Sequence, residues 1–462
     1  MATARAAEQP AAEPPALVRA LGAWDGALIT VGAVVGSAIF LTTSDVARAL
    51  PHPGLVVLAW TFGGLLTLAG ALSYAELGAM FPRAGGQYHF LKEAYGPLWA
   101  FLFGWASFLV IMSGGIAALA VAFGEYLGSF VPFFSTGHLL FALPVGPWRW
   151  AVSGGQLAAA LAIALFTAIN YVGLKEGAWT QNAVTILKIG SVAAIGLIGL
   201  VVPASAHPDL LAPLPSTATA SAFGVAMIAV LWAYDGWYCA TFTAGEMRDA
   251  GRDLPRALLA GTLLVMAIYV LMNLVYVRAL PPAEMAATSR IGETAAGALF
   301  GPRGARLVSA AVLVSIFGCL SSNILTCSRI YLPMAQDGLF FRALARIHPR
   351  HRTPGPSLVA QGVWSTALAL SGTYEQLYTY VVFAAFMFHA LTGIAVFVLR
   401  RARPQAPRPY RVWGYPFVPI AFIATALGFV ANTLVERPRE SLLGLALVAL
   451  GLPAYAWWRR RR

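Results

Sequence analysis

Two short stretches carry residue types that could do chemistry inside an otherwise apolar chain. The first is Val31-Gly32-Ala33-Val34-Val35-Gly36-Ser37-Ala38-Ile39-Phe40, within an apolar run over residues 24–46. Gly36, Ser37 and Ala38 have little bulk, so backbone can open there and be approached closely by a ligand. Open backbone at membrane depth is tolerated only where protein or a water-filled cavity satisfies its polar groups. Gly32 and Gly36 also form a Gly-x-x-x-Gly pair, so close helix packing is the competing reading. The second stretch is Val230-Leu231-Trp232-Ala233-Tyr234-Asp235-Gly236-Trp237-Tyr238. An Asp beside a Gly, flanked by aromatics, disfavours a continuous lipid-facing helix, and ionisable groups at this depth usually face a cavity or pathway.

Opening a helix exposes free N–H groups at one end and free C=O groups at the other. The first end is partially positive and the second partially negative. A zwitterion can bridge them, and an amino acid carries its carboxylate and ammonium on one carbon.

The elements that must position these ends follow from composition. The 462 residues are 59% hydrophobic and 11% charged, with a mean hydropathy of +0.71. Soluble domains carry about 25% charged residues, so the chain reads as an all-α integral membrane protein. Twelve apolar segments are expected. The first six cover residues 24–47, 55–80, 97–127, 154–173, 181–202 and 220–245. The rest cover 255–279, 304–333, 355–372, 376–399, 415–434 and 441–458. Residues 1–20 read as a disordered tail without the apolar core of a signal peptide. Cys239, Cys319 and Cys327 all fall in apolar segments and imply neither a disulfide framework nor a zinc site.

The net charge of +12 is scattered among short loops, which argues against nucleic acid and for a membrane-orientation signal. Most Lys and Arg gather on the side of both termini, including Arg83, Arg252, Arg346, Arg350, Arg400 and Arg459. Both termini are therefore expected to be cytoplasmic, in the plasma (inner) membrane. Residues 82–96 suit a short interfacial or re-entrant helix or an ordinary polar connection. Residues 283–300 suit a helix over an extracellular vestibule.

The two interrupted segments are the first and the sixth. If the ten opening spans are two sets of five, they correspond, and the odd number per set inverts the second repeat. Paired interruptions of this kind point to a transporter's central site. The expected organisation is a tail at 1–20, a transport core at 21–400 (repeats 21–203 and 215–400), and two peripheral spans with a basic end at 401–462.

At these residues the sequence resembles the amino acid–polyamine–organocation transporters, in particular their L-type amino acid transporter branch. The resemblance rests on Gly36-Ser37-Ala38-Ile39-Phe40, Ser73-Tyr74-Ala75-Glu76-Leu77-Gly78 and Pro82-Arg83-Ala84-Gly85-Gly86-Gln87-Tyr88. Ala233-Tyr234-Asp235-Gly236-Trp237, Arg252-Asp253-Leu254-Pro255, Ser328-Arg329, His348-Pro349 and Thr353-Pro354-Gly355-Pro356-Ser357 extend it over nearly the whole chain after residue 20.

The resemblance implies a LeuT-type fold and an L-amino acid substrate. The amides of Gly36, Ser37 and Ala38 would hold the carboxylate, and the carbonyls of Val34, Trp232 and Asp235 the ammonium. Ile39, Ala233 and Gly236 complete the implied substrate-binding set. Trp232 would gate the site and Tyr238 line the side-chain pocket. Ala38 stands where the family has a second Gly, which makes left-handed backbone there costly. Asp235 is read as a cap on the break in preference to a selector of basic substrates. Gly245 replaces an acid that often precedes Glu246, which weakens a gating role for that pair.

Lys188, one of only three lysines, lies inside the fifth segment. Snorkelling to the surface is its ordinary role. The resemblance implies instead that its ammonium fills the space of a coupling sodium ion, bridging the first and eighth spans near Ser321 or Ser322. The same lysine is a candidate for proton coupling. Glu76 and His389 are read as structural.

No Walker A loop is present, and no catalytic group, metal site or cofactor is expected. The connection between the third and fourth spans lacks the cysteine that relatives use to bind a partner glycoprotein, so no disulfide-linked heavy chain is expected. The leading reading is a sodium-independent amino acid exchanger working by alternating access. A proton-coupled amino acid or polyamine symporter of the same fold is the alternative. A channel lacks a visible selectivity motif, and a sensor lacks a soluble signalling domain.

Overall fold

The computed structural model describes residues 19–145, 148–172, 175–203, 206, 208–372 and 374–460. Most of the expected tail, residues 1–18, lies outside them. The first span is interrupted. Helix α1 (Ala23–Val34) gives way to irregular backbone, then α2 (Ala38–Leu41) and α3 (Thr43–Ala49). The second span is α4 (Pro53–Met80), capped by the His52 side chain accepting from the Leu55 amide. After the amphipathic α5 (Gln87–Tyr95), the third span runs through α6 (Pro97–Ala106), a π-helical turn and α7 (Met112–Leu127).

An antiparallel hairpin, β1 (Leu139–Val145) and β2 (Trp148–Ser153), joins α7 to α8 (Gly154–Val172). Trp150 fastens it to the rest of the protein by donating to the Leu370 carbonyl at 2.9 Å.

Helix α9 (Lys175–Val201) is the fifth span and α10 (Ala220–Tyr234) the first half of the sixth, which continues as a 3-10 helix, Cys239–Glu246. Then come α11 (Ala250–Ala279), the short α12 (Pro282–Ala287) and α13 (Ile291–Gln336), which bends at Gly301 where φ is +72°. Helices α14 (Gly355–Ala369), α15 (Tyr374–Ala402), α16 (Phe417–Glu436), α17 (Pro438–Ala449) and α18 (Gly451–Arg460) complete the chain.

Among the described residues, ten helices are long and apolar enough to cross a membrane. The two remaining expected spans are the shorter apolar stretch Thr185–Val201 and α14, which has 15 residues. The protein is thus a multi-pass helical membrane protein with a broken first and a broken sixth span.

Each half places a short helix after its second span. Gly85 and Gly86 lead into α5 with φ of +101° and +39°, and a Cβ on Gly86 would lie 2.2 Å from Thr241 Oγ1. Only glycine fits this approach of α5 to the sixth span. Its counterpart after α11 is α12 with the start of α13. There Gly292 abuts the Phe40 ring, and Arg48 donates to the Ala286 carbonyl at 2.9 Å. The two loops singled out in the sequence therefore hold helices at opposite ends of the broken spans, as inverted halves require.

Glu76 is structural. It accepts two bonds from Arg400 at 2.8 and 2.7 Å and one from the Val412 amide at 2.7 Å. His389 is buried and bonds Tyr74 through Nδ1 at 2.7 Å.

Candidate functional site at the two helix breaks

The last four carbonyls of a helix have no partner within it. In α1 these belong to Gly32, Ala33, Val34 and Val35, and each is met by a side chain from another span. Lys188 donates to Gly32 at 3.0 Å, and Cys319 and Asn323 donate to Ala33 at 2.9 and 3.1 Å. The Tyr269 hydroxyl lies 3.0 Å from the Val34 oxygen and 3.1 Å from that of Ala233, so one group spans both breaks. Ser315 reaches Val35 at 3.3 Å. The negative end of the first break is thus held by the fifth, seventh and eighth spans.

The positive end is left to a cavity. Gly36, Ser37 and Ala38, where α2 begins, line a small space with Ala33, Val34, Gly115, Leu119, Trp232, Asp235 and Asn323. Its volume is about 20 Å3, room for a water molecule and far less than an amino acid. First-turn amides of this kind favour an anion. Ala38 is an ordinary helical residue; Arg352 is the only non-glycine with positive φ among the described residues. The departure from the family's second Gly therefore carries no backbone cost.

The second break closes against the first. Helix α10 stops at Tyr234, Asp235 is extended (φ −61°, ψ 149°), and Gly236 takes φ of +98°. A Cβ on Gly236 would lie 3.2 Å from the Ala33 carbonyl. This position needs glycine for both its conformation and its neighbour. Asp235 ends the helix as its C-cap residue, lines the cavity and accepts from the Tyr238 hydroxyl at 3.1 Å. Ile39, Ala233, Gly236 and Tyr238, also expected at the site, are buried and do not line this cavity.

Lys188 is buried and does not snorkel. From the eighth span it is Cys319, beside it at the α1 end, that meets this corner. Ser321 instead bonds Asn170, 3.3 Å from its carbonyl, and the Ser322 hydroxyl has no partner among the described residues. Ser315, Cys319 and Asn323 were missed from sequence, although their spacing of four places all three on one face of α13. Tyr269, a tyrosine in an apolar helix, gave no such signal.

Both sides of the site are closed. On one, the Trp232 indole donates to Tyr374 at 2.8 Å, whose hydroxyl lies 3.4 Å from Ser37 Oγ. Trp232 also stacks on Tyr378, whose hydroxyl donates to Asp45 at 2.8 Å. Beyond them lies a cleft of about 740 Å3 lined by Asp45, Arg48, Glu125, Trp150, Tyr374 and Glu375 among others. On the other side Arg329 grips Glu246 with both residues 1% exposed, the second contact being 3.1 Å. Tyr88 and Lys92 donate to Asp337 there at 2.8 and 2.6 Å.

Two facing helix breaks inside a membrane bundle, closed on both sides, are the arrangement of a transporter's central site. Residues 21–442 match the amino acid permease family, and the chain belongs to that family. It is 30% identical over 456 residues to the serine/threonine exchanger SteT of Bacillus subtilis, covering 97% of this chain and 99% of that protein. It is 30% identical to the human b(0,+)-type amino acid transporter 1, over 95% of this chain and 88% of that one. Against the rabbit (Oryctolagus cuniculus) large neutral amino acids transporter small subunit 2, identity is 30% over 96% and 82%.

Proposed function

We propose that the protein is a sodium-independent amino acid exchanger that works by alternating access around the two breaks. The observation that carries this reading is the asymmetry at the first break. All four carbonyls at the end of α1 have side-chain donors, whereas Gly36, Ser37 and Ala38, at the start of α2, line the cavity. The substrate carboxylate binds those amides. Its ammonium turns to the Asp235 carboxylate and the carbonyl oxygens of Val34 and Trp232, which keep a second lone pair. Lys188 supplies a fixed positive charge where a sodium ion would otherwise be needed. The names of the relatives, exchangers and transporters of amino acids, support the substrate class.

The arginine-rich side, with both termini, is cytoplasmic, and the Trp232–Tyr374 side faces out. The chain works without a disulfide-linked heavy chain. Uptake of radiolabelled amino acid into sodium-free proteoliposomes tests the reading. Stimulation by internal amino acid, with no response to a proton gradient, is expected. Uptake into empty vesicles that follows an inward proton gradient would replace the exchanger with the symporter, and a sodium requirement would remove the role given to Lys188.

A further inference from the structure

Helices α8 and α14 leave a groove between them that no part of the transport site uses. A Cβ on Gly362 would lie 2.5 Å from Thr167 Oγ1, so the two backbones run close and the groove floor is built from small residues. Ala164, Thr167, Ala168, Tyr171, Val359 and Val363 border a space of about 590 Å3. The Thr366 hydroxyl is spent on the Gly362 carbonyl at 2.9 Å and the Thr167 hydroxyl is buried under Gly362; the rest of the lining is apolar but for the Tyr171 hydroxyl, so the groove asks for a mainly apolar occupant. Val172, Val359 and Val363 around it are 60%, 46% and 67% exposed, which places the groove against lipid rather than protein.

Tyr171 ends this groove and begins a second one. A separate cavity of about 480 Å3 lies on its other side, lined by Tyr171, Gln336, Arg346, Ile347, His348 and Pro356 among others. Its chemistry is cationic. The segment 338–372 holds Arg342, Arg346, Arg350 and Arg352 and not one Asp or Glu. Among the described residues, no acid pairs with Arg346. His348 Nδ1 accepts from the amides of Arg350 and His351 at 3.3 and 3.1 Å. The neutral ring therefore carries its proton on Nε2, as a donor. The loop that presents these groups is tied to α8, since Thr353 Oγ1 donates to the Tyr171 carbonyl at 3.0 Å.

An apolar groove and a basic pocket that share Tyr171 as a common wall at the end of two spans together suit one molecule with an acyl chain and an anionic head. We infer that this is a binding site for an anionic phospholipid, with an acyl chain between α8 and α14 and its phosphate on Arg346 and His348. Basic pockets between spans on the cytoplasmic side are suited to such head groups. The cytoplasmic leaflet rests on the orientation proposed above; binding itself does not, and the experiment reads binding.

Purified, delipidated full-length protein is titrated with dioleoyl phosphatidylglycerol or dioleoyl phosphatidylcholine in detergent. Binding is read by native mass spectrometry and by thermal unfolding. Phosphatidylglycerol is expected to bind at least tenfold more tightly. Arg346→Ala, an exposed position whose loss leaves the fold intact, is expected to remove that preference, and Arg350→Ala, outside the pocket, to keep it. Ala168→Trp fills the groove and is expected to weaken both lipids. Equal binding of the two lipids, or equal loss in Arg350→Ala, overturns the site. Inorganic phosphate that reproduces the thermal shift reduces it to a phosphate site and overturns the lipid. A dimer abolished by Ala168→Trp would assign the groove to a second copy instead.

Discussion

Lys188 Nζ donates to the carbonyl oxygen of Gly32 at 3.0 Å, a lysine of the fifth span holding the last turn of the helix that ends at the first break. The bond joins a fixed cation to the partially negative end of α1, and it does so inside the protein, where the residue is 2% exposed. Lys188→Ala leaves that carbonyl without its donor, at a cost of about 1–3 kcal/mol. Uptake is expected to fall at least tenfold while size-exclusion behaviour in detergent is unchanged. Wild-type uptake is expected to be the same in sodium and in choline. Retained activity in Lys188→Ala would separate this bond from transport.

The amides assigned to the carboxylate give a second prediction. A Cβ on Gly36 would lie 2.8 Å from Cys319 Sγ and 3.0 Å from Leu119 Cδ2, so even Gly36→Ala must either shift the break or drive the Cys319 thiol off the Ala33 carbonyl. Substrate affinity is expected to drop tenfold or more, with unfolding temperature changed by only a few degrees. Gly236→Ala acts through the backbone, because its φ of +98° is costly for any residue with a Cβ, on the order of 1–2 kcal/mol. It is expected to lower both stability and transport. Isothermal titration with a panel of amino acids reads the first variant, and thermal unfolding the second.

Gly36 and Asp235-Gly236 were legible because small and charged residues in apolar runs have few explanations at membrane depth. The alternation of apolar and polar segments likewise marked the spans. The β-hairpin was not legible: Leu139, Phe141 and Leu143 read as loop beside helices far longer and more apolar. Tyr269 and Tyr374 were hidden for a different reason. Each acts through one hydroxyl on an otherwise apolar ring, and only the fold brings that oxygen to a helix end from the seventh or tenth span. The bridge from Lys188 to the first span was legible, its neighbour on the eighth span was not. Ser321 or Ser322 was expected there, whereas it is Cys319 that meets the end of α1, donating to the Ala33 carbonyl at 2.9 Å.

The ion pair between Arg329 and Glu246 closes the side opposite Trp232. Gly245 stands beside Glu246 where relatives often have an acid, and Glu246 is enclosed with Arg329 instead, both 1% exposed. Removing one partner of such a pair costs about 3–5 kcal/mol, because the other is left charged and buried. Arg329→Ala and Glu246→Ala are each expected to lower the unfolding temperature strongly. Combining them is expected to be less harmful than the sum of the two, and a double-mutant cycle of thermal unfolding measures the coupling. Additive losses would mean that the residues act separately.

Stability should also report on α5, which packs against this closed side. Burial first, and then the nearby Lys92 charge, hold His89 below its ordinary value of 6.5. The unfolded chain therefore takes up a proton more readily than the folded one. The contribution is fully present above about pH 6.5 and is lost as the pH falls below it. His89→Gln is expected to flatten that acid limb, measured by thermal unfolding between pH 5 and 8 (, about the range of maximal stability). An unchanged limb would assign the acid sensitivity to other groups.

The roof over the cavity hangs on one oxygen. Tyr374 accepts from the Trp232 indole at 2.8 Å and lies 3.4 Å from Ser37 Oγ, so its hydroxyl ties the sixth, tenth and first spans together just above the amides. Tyr374→Phe keeps the ring, and with it the edge-on packing against Trp232 at 6.3 Å, but removes that tie. The indole N–H then faces either an apolar ring or water from the outer cleft, and the second is reached only if Trp232 swings away. The variant is expected to favour the outward-open arrangement. A cysteine at Gln376, which borders the cleft, should then react faster with a membrane-impermeant thiol reagent than the same cysteine beside an intact Tyr374. Exchange should slow, because a site that opens outward more readily must also be drawn shut for every turnover. If the reagent reacts equally fast in both backgrounds, the roof is held by the Trp232–Tyr378 stack and not by the hydroxyl.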